Sequence, residues 1–481
     1  MGPILLDLTG IELTSEEREI LKHPQVGGVI FFKRNYESPE QLKRLIAQIH
    51  THSKQRLLLT VDQEGGRVQR FQSGLTPLPA LGIIGQRYTE NPTLAIHLAK
   101  THGWLMASEL LAIGIDLSFA PVLDLNNNLN QVIGLRALHS DPSIVTQLGR
   151  AVIEGMNCAG MCAVGKHFPG HGSVTADTHT HFTVDDRDYK TIEASDLIPF
   201  AQLSAYLDGM MASHIVYKQV DPLPSGFSSY WLQSILRKQL NFAGAIFTDD
   251  LSMKAVQTIG TISERIQLAL QAGCDGLLVC NCRQDAILAL ENLERSPQLI
   301  KLYTVGRLQK LFPRRTLTLS ALQQTDTWGS AVNLLKPLLD NEDAFMLIPA
   351  HVQEVERKAT RLFTQEDIEL GLDTIAKAIS NKLSESNPIV LCVMIGGLIP
   401  AGNLLPRLDF PLELDYIHAT RYSNETVGQS EIQWVAKPRV SLKGRNVLII
   451  EDILDGALTL AAIDDYCQEQ GARAVYTAVL L

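Results

Sequence analysis

The chain has 481 residues, of which 45% are hydrophobic and 20% charged, with a formal net charge of -10. That length and apolar content suit one large folded unit plus a smaller one and exclude wholesale disorder. The acidic balance argues against a nucleic-acid or anionic-membrane binder, the lack of any run of about 18 apolar residues argues against a membrane span, and no secretory leader is visible after Met1, so a cytoplasmic location is expected.

In chain order, short apolar runs rich in β-branched residues recur at 4–8, 27–32, 57–62, 115–125, 162–167, 209–215, 244–249 and 275–280. Amphipathic patterns at 39–52, 92–113, 143–159, 190–207, 229–240 and 262–272 separate most of them. Continuous apolar strands alternating with helices mean parallel β-structure buried on both faces. Eight such units predict an α/β fold of the (β/α)8 TIM-barrel type, with a doubly wound open sheet as the alternative. Polar residues gather where the runs end: Asp62-Gln63-Glu64, Asp124, Lys166-His167, Ser213-His214 and Asp249-Asp250. In a barrel those ends form one mouth. The stretch from Leu319 to Asp343 reads as a helix end and a connector. Residues 340–481 carry 21 acidic against 12 basic residues, so the remainder is almost neutral and the last third is a different surface. The seven cysteines are scattered, several in apolar text, and read as reduced, buried thiols rather than a disulfide or zinc framework.

The densest chemistry lies in Gly165-Lys166-His167-Phe168-Pro169-Gly170-His171-Gly172, followed by Asp177-Thr178-His179-Thr180-His181. Pro and Gly force an irregular backbone after a strand. Such a loop holds Lys166 and His167 on the strand end and carries Asp177 and His179 outwards. A carboxylate two residues from an imidazole accepts from one ring nitrogen and raises the basicity of the other, which suits an acid/base pair near neutral pH. His181 reads as a solvated loop residue. Asp249 follows its strand directly and suits a nucleophile or a stabiliser of positive charge on a sugar ring. Asp250 points elsewhere by alternation and reads as a helix N-terminal residue. Asp62 can accept sugar hydroxyls, and Gly65-Gly66 let the backbone approach a ligand. A metal reading of His179-Thr180-His181, with His167 and His171 as further ligands, is disfavoured because the pair lies mid-chain in a loop rather than on an early strand.

Six motifs occur in order: VDQEGGRVQRF (61–71), VIGLRALH (132–139), GKHFPGHGSVTADTH (165–179), MMASHIVY…VDPLPSGFSSYWL (210–232), IFTDDLSM (246–253) and AGCDGLLVCN (272–281). Together they resemble the bacterial β-N-acetylglucosaminidases of glycoside hydrolase family 3, the NagZ type, over roughly residues 1–335. The resemblance implies a cytoplasmic retaining β-N-acetylhexosaminidase that releases terminal GlcNAc from anhydromuropeptides during peptidoglycan recycling, without a cofactor. It implies Asp249 as nucleophile, His179 as acid/base with Asp177 as its partner, and Asp62, Arg70, Arg136, Lys166 and His167 as the residues holding the GlcNAc ring. Leu135, Thr178 and Phe182-Thr183 depart from the family's usual residues. An imidazole repels an anionic acceptor less than a carboxylate does, so phosphorolysis is a variant of the expected hydrolysis.

In the last third, 388–397 reads as a strand entering a Gly turn, and 445–460 as a buried strand ending in acids before a helix start. Glu451 and Asp452 suit ribose hydroxyls or Mg²⁺, and the helix start suits a phosphate; a plain strand–loop–helix with capping acids reads equally well. With LDYIHATRY (414–422) and SLKGRNVL (441–448), the segment is similar to a hypoxanthine/guanine phosphoribosyltransferase from about 345 to 481. The resemblance implies Glu451 and Asp452 at the ribose, Asp455 near the purine, Thr459 closing a phosphate loop, and Mg²⁺ as cofactor if this module is active. Gly456, Ala457 and Ile395 depart from the family pattern. The text stops at Leu481, before the family's purine-clamping segment, so an incomplete, inactive or accessory module is expected. The resulting division is 1–335 barrel, 336–350 linker and 351–481 phosphoribosyltransferase-like domain. The alternatives are a bifunctional glycosidase and purine phosphoribosyltransferase, or a non-catalytic sugar binder. Asp249, Asp177 and His179, all in place, argue against the last.

Overall fold

The computed structural model describes residues 1–127, 129–130, 132–174, 183–300, 302–313, 317–339, 363–420, 433–452 and 458–480. The chain divides into two compact units, Met1–Gln353 and Glu354–Leu481.

In the first unit, a five-stranded parallel sheet runs in the order Leu277–Val279, Ile4–Leu6, Val26–Phe31, Leu58–Val61, Leu117–Ser118. A three-stranded parallel sheet runs in the order Ala245–Thr248, Gly209–Ala212, Val164–Phe168. Two isolated parallel bridges, Val122 with Lys166 and Phe247 with Gly276, lie between the two sheets. These strands are buried along their whole length, as their unbroken apolar text requires. The run expected at 115–125 forms regular strand only over Leu117–Ser118. Pro121 has no N–H to give the ladder, although its carbonyl accepts from the Lys166 amide and Leu123 N–H donates to the Lys166 carbonyl.

The helices obey their local sequence. Pro39–His52 starts with Ser38 accepting from the Gln41 amide and Pro39 in its first turn. Its buried face is Leu42, Leu45, Ile46 and Ile49, a helical period. Pro92–Ala112 is apolar on most sides because Pro142–Ala159 and Asp326–Leu339 both pack on it. A Cβ on Gly103 would lie 2.3 Å from the Val152 carbonyl oxygen, and one on Gly155 would lie 2.1 Å from that of Lys100. The two backbones abut where only glycine fits.

Three expectations need correction. The stretch 319–343, expected as a helix end and then a connector, holds two helices, Leu319–Gln323 and Asp326–Leu339. The second buries Ala331, Leu335 and Leu338 and donates Trp328 Nε1–H to Glu109 at 2.8 Å. Glu109 also accepts from the Thr76 amide and hydroxyl. The linker expected at 336–350 thus begins inside that helix, and 340–350 lies outside the described residues. The single helix expected at 190–207 is two, Tyr189–Glu193 and Leu197–Leu203. The cysteines are free, but Cys158 is exposed and Cys282 half-buried, while the other five are buried. Among the described residues no helix is long and apolar enough to cross a membrane.

The second unit has a five-stranded sheet ordered Gln433–Ala436, Glu413–Thr420, Ile389–Val393, Asn446–Glu451, Ala474–Val479. All neighbours are parallel except the first pair. Strand alternation gives it two apolar layers. Val390, Cys392, Leu448 and Ile450 pack with Leu372 and Ile379 of helix Gln365–Leu383. Ile389, Leu391, Val447 and Ile449 pack with Ile463 and Cys467 of helix Leu458–Glu469.

His102, buried in Pro92–Ala112, supports the loop above it. Its Nε2 lies 3.1 Å from the Pro79 carbonyl, and a Cβ on Gly65 would come within 2.8 Å of that nitrogen. Burial pushes this imidazole from 6.5 down to about 4. The unfolded chain therefore binds the proton first as pH falls. Stability drains between pH 6.5 and about 4, at up to about 1.4 kcal/mol per pH unit from this residue. His102→Gln is expected to reduce that loss, seen as a smaller drop in denaturant midpoint between neutral and acidic buffer than in the wild type. An equal drop in both proteins would contradict the assignment.

Candidate active site

Beyond Val61 the chain turns into a short antiparallel ribbon, Gln63–Gly65 with Val68–Gln69. Gly65 (φ +100°) and Gly66 (φ +53°) take the left-handed turn. Gln63 pins the loop: its side-chain oxygen accepts from the amides of Arg70 and Phe71, and its Nε2 donates to the Phe71 carbonyl. Strand alternation then directs Asp62 and Glu64 to one side.

There they meet two cations. Lys166 Nζ lies 2.8 Å from Asp62 Oδ1 and 2.6 Å from Glu64 Oε1. Arg136 clamps Glu64 through both carboxylate oxygens, at 2.8 and 2.9 Å. Lys166 and Glu64 side chains are each 2% exposed, whereas Asp62 is 21% exposed. Asp62 is thus the carboxylate of this cluster that solvent reaches. Burial alone would raise the Glu64 carboxyl, yet Arg136 and Lys166 hold it well below the usual range. Burial also opposes charge on Lys166, and Asp62 with Glu64 outweighs it, so the ammonium stays charged. Arg70, on the same loop, has a buried Nε–H without a hydrogen-bond partner among the described residues, the kind of donor a ligand satisfies.

His167 follows Lys166 on strand Val164–Phe168. Its Nδ1 lies 2.6 Å from Asp124 Oδ2, which directs the Nδ1 proton to that carboxylate and leaves Nε2 as the other ring nitrogen. Asp124 is fully buried, and its Oδ1 also accepts the amides of His167 and His171. Burial raises the Asp124 carboxyl, but His167 reverses that and leaves it below the usual range. His171 packs edge-on to His167 with ring centroids 5.7 Å apart, and Asn130 Nδ2 sits 3.0 Å from its Nδ1. Burial and the His167 charge push His171 down to about 4.

Asp249 follows strand Ala245–Thr248, and its Oδ1 accepts the Asp250 amide at 2.7 Å. Its charge acts on His171 and His214, and the Cys280 thiol feels both Asp62 and Asp249. The sugar-ring candidates Asp62, Arg136, Lys166 and His167 and the nucleophile candidate Asp249 therefore share one electrostatic neighbourhood. The expectation for Asp250 is corrected. The next helix starts only at Lys254. Asp250 Oδ1 instead accepts the amides of Ser252 and Cys280, tying this loop to the end of strand Leu277–Val279. Burial pushes its carboxyl up to about 6, with Asp249 adding to the rise. Asp177, His179 and His181 lie outside the described residues. Among the described residues no group of three or more His, Cys, Asp or Glu is arranged to hold a metal ion.

In the second unit Glu451 ends strand Asn446–Glu451 and Asp452 follows. A Cβ on Gly396 would come within 2.5 Å of Asp452 Oδ1. Burial and the neighbouring Asp452 push Glu451 up to about 7. Thr459 lies in helix Leu458–Glu469, Asp455 falls outside the described residues, and Ile395 is exposed.

Residues 5–308 match the glycosyl hydrolase family 3 N terminal domain. The chain belongs to glycosyl hydrolase family 3. Residues 358–481 match the phosphoribosyl transferase domain. Among relatives, the β-hexosaminidase of Thioalkalivibrio sulfidiphilus is 46% identical over 342 residues, 71% of this chain and 97% of that protein. The β-hexosaminidase of Pseudomonas aeruginosa PAO1 is 48% identical over 335 residues, 70% of this chain and 98% of that protein. NagZ from Neisseria gonorrhoeae, solved in complex with N-trifluoroacetyl-D-glucosamine, is 40% identical with a TM-score of 0.65, covering 70% of this chain and 98% of that one.

Sequence reasoning passed over two carboxylates of this candidate site. Glu64 and Asp124 were visible as strand-end acids, and alternation from Asp62 was the signal for Glu64. What no spacing rule shows is that Glu64 holds two cations at once. Glu64→Gln leaves buried Lys166 and Arg136 short of a countercharge. It is expected to cost about 3 kcal/mol of stability, measured by denaturant unfolding; an unchanged midpoint would mean the cluster contributes nothing.

Proposed function

We propose that this chain is a retaining β-N-acetylhexosaminidase that releases terminal GlcNAc from peptidoglycan-derived anhydromuropeptides in the cytoplasm. One observation carries the reading: a half-buried carboxylate, Asp249, follows a strand of the same parallel sheet as Lys166, which joins a charge-balanced set of donors and acceptors with Asp62, Glu64 and Arg136. A neutral polyhydroxylated ring needs both donors and acceptors, and a carboxylate beside it suits attack on the anomeric carbon. The β-hexosaminidase relatives and the NagZ complex with a glucosamine derivative support the sugar class. The scaffold proposed is a closed (β/α)8 barrel. Its support is the pair of bridges Val122–Lys166 and Phe247–Gly276, which would join the two parallel sheets at both ends.

In the proposed cycle Asp249 attacks the anomeric carbon while His179, oriented by Asp177, protonates the departing oxygen. His179 then takes a proton from water, whose oxygen displaces Asp249 and frees the sugar. Asp62 accepts ring hydroxyls, and Lys166, Arg136, Arg70 and His167 fix the ring. The cycle uses no cofactor. The second unit is proposed to be accessory, since Gly456 and Ala457 lack the hydroxyl that a phosphate loop uses. A purine-transferring second unit, with Mg²⁺ at Glu451 and Asp452, is the other reading; formation of IMP from hypoxanthine, Mg²⁺ and phosphoribosyl pyrophosphate would establish it.

Asp249→Ala is expected to lose release of 4-nitrophenol from 4-nitrophenyl β-GlcNAc. Added azide should restore release and yield the α-glycosyl azide, because a small anion replaces the missing nucleophile. Wild-type rates without azide would remove Asp249 from this role.

A further inference from the structure

Strand Gly209–Ala212 runs into Ser213 and His214, beside the strand that leads to Asp249. His214 is 1% exposed. Its Nε2 lies 3.0 Å from the Asp250 carbonyl oxygen. A carbonyl only accepts, so the ring proton sits on Nε2. Nδ1 is buried and has no hydrogen-bond partner among the described residues, which suits the bare nitrogen of a neutral imidazole. Burial holds the ring below its ordinary basicity, against the Asp249 charge and the Asp250 and Asp249 carbonyls. Phe227, in the turn Ser225–Phe227, fixes the ring plane: the two ring centroids are 5.8 Å apart and the planes 5° from parallel. Ser213 anchors that turn, its carbonyl accepting the Gly226 amide at 3.2 Å and the Ser225 hydroxyl at 2.7 Å.

The bond from His214 goes to the turn that bears Asp249. The Asp249 amide donates to the Ala212 carbonyl at 3.3 Å, and Asp249 Oδ1 accepts the Asp250 amide. The Asp250 carboxylate and the Leu251 amide tie the far side of the turn to Cys280 and Leu278. From the near side, His214 reaches it through its side chain. An apolar side chain would fill the same place without leaving a ring nitrogen idle in the interior, which costs free energy. What the imidazole adds is one directed N–H, aimed at the residue after Asp249.

We propose that His214 is a positioning residue for the nucleophile of the glycosidase: by donating Nε2–H to the Asp250 carbonyl it sets the turn that presents the Asp249 carboxylate to the anomeric carbon. The proposal rests on the reading of Asp249 as nucleophile. It has a signature that simple loss of structure lacks. His214 matters only while Asp249 is the attacking group. An external anion that takes over the attack is not carried by that turn, so its rate is indifferent to His214.

The test follows 4-nitrophenyl β-GlcNAc cleavage by the full chain as a double-mutant cycle. His214→Asn draws the donor back from the Nε2 position, whereas the longer amide of His214→Gln places an N–H near it. His214→Asn is expected to lower kcat by about 10–100-fold and to leave KM nearly unchanged, and His214→Gln to recover most of that loss. In the Asp249→Ala background, His214→Asn is expected to change the azide-rescued rate by no more than about threefold. Equal loss of the native and the azide-rescued rates, a full rate in His214→Asn, or a His214→Gln no better than His214→Asn overturns the proposal. Asp249→Ala without azide separates the two layers. If it is inactive while His214→Asn matches the wild type, the positioning role alone falls. If it keeps the wild-type rate, the nucleophile reading falls and the positioning role with it.

Discussion

The site is organised around a carboxylate that water does not reach. Glu64 sits between Lys166, buried with it, and Arg136, whose side chain is 10% exposed. Ions at such depth persist only when paired and hydrogen-bonded, so each member depends on the others. Asp62 completes the cluster, which then holds two acids and two bases and no net charge. That balance leaves the pocket rich in donors and acceptors without committing it to an ionic ligand. The members come from three stretches far apart in the chain, the Asp62–Glu64 strand end, the loop holding Arg136 and the strand holding Lys166. Folding must bring them together before any of them is neutralised.

Asp124 repeats the arrangement one step along. It takes the His167 ring and two backbone amides, and so supports the backbone at the point where the Pro-Gly loop leaves its strand. Asp196 does similar work farther out, at Ser173 and Arg187. Buried acids thus hold the chain at His167, His171, Ser173 and Arg187.

The legible part of the fold followed from period. Apolar runs at 27–32, 57–62, 209–215 and 244–249 became strands Val26–Phe31, Leu58–Val61, Gly209–Ala212 and Ala245–Thr248. Polar residues at their ends marked the neighbourhood of Asp62, Lys166, His167 and Asp249. The rest depended on long-range pairing, which no local pattern carries. Asp250 read as a helix residue because its partners, Cys280 and Asn281, are remote in sequence. Helix Asp326–Leu339 was hidden by a Thr- and Gln-rich lead-in and by Pro337 within it. Pro121 cut a strand short that hydrophobicity alone would have extended.

The Glu109–Trp328 bond has a practical bearing on where this protein can be cut. The recognised family 3 region ends at residue 308, but the indole that closes over Glu109 comes later. A fragment trimmed to the homology boundary would strip the cover from one flank of Pro92–Ala112 and leave an acid there with only Thr76 to hold it. A piece that keeps this bond therefore extends at least through the helix Asp326–Leu339, beyond the boundary that the family 3 domain match alone would draw.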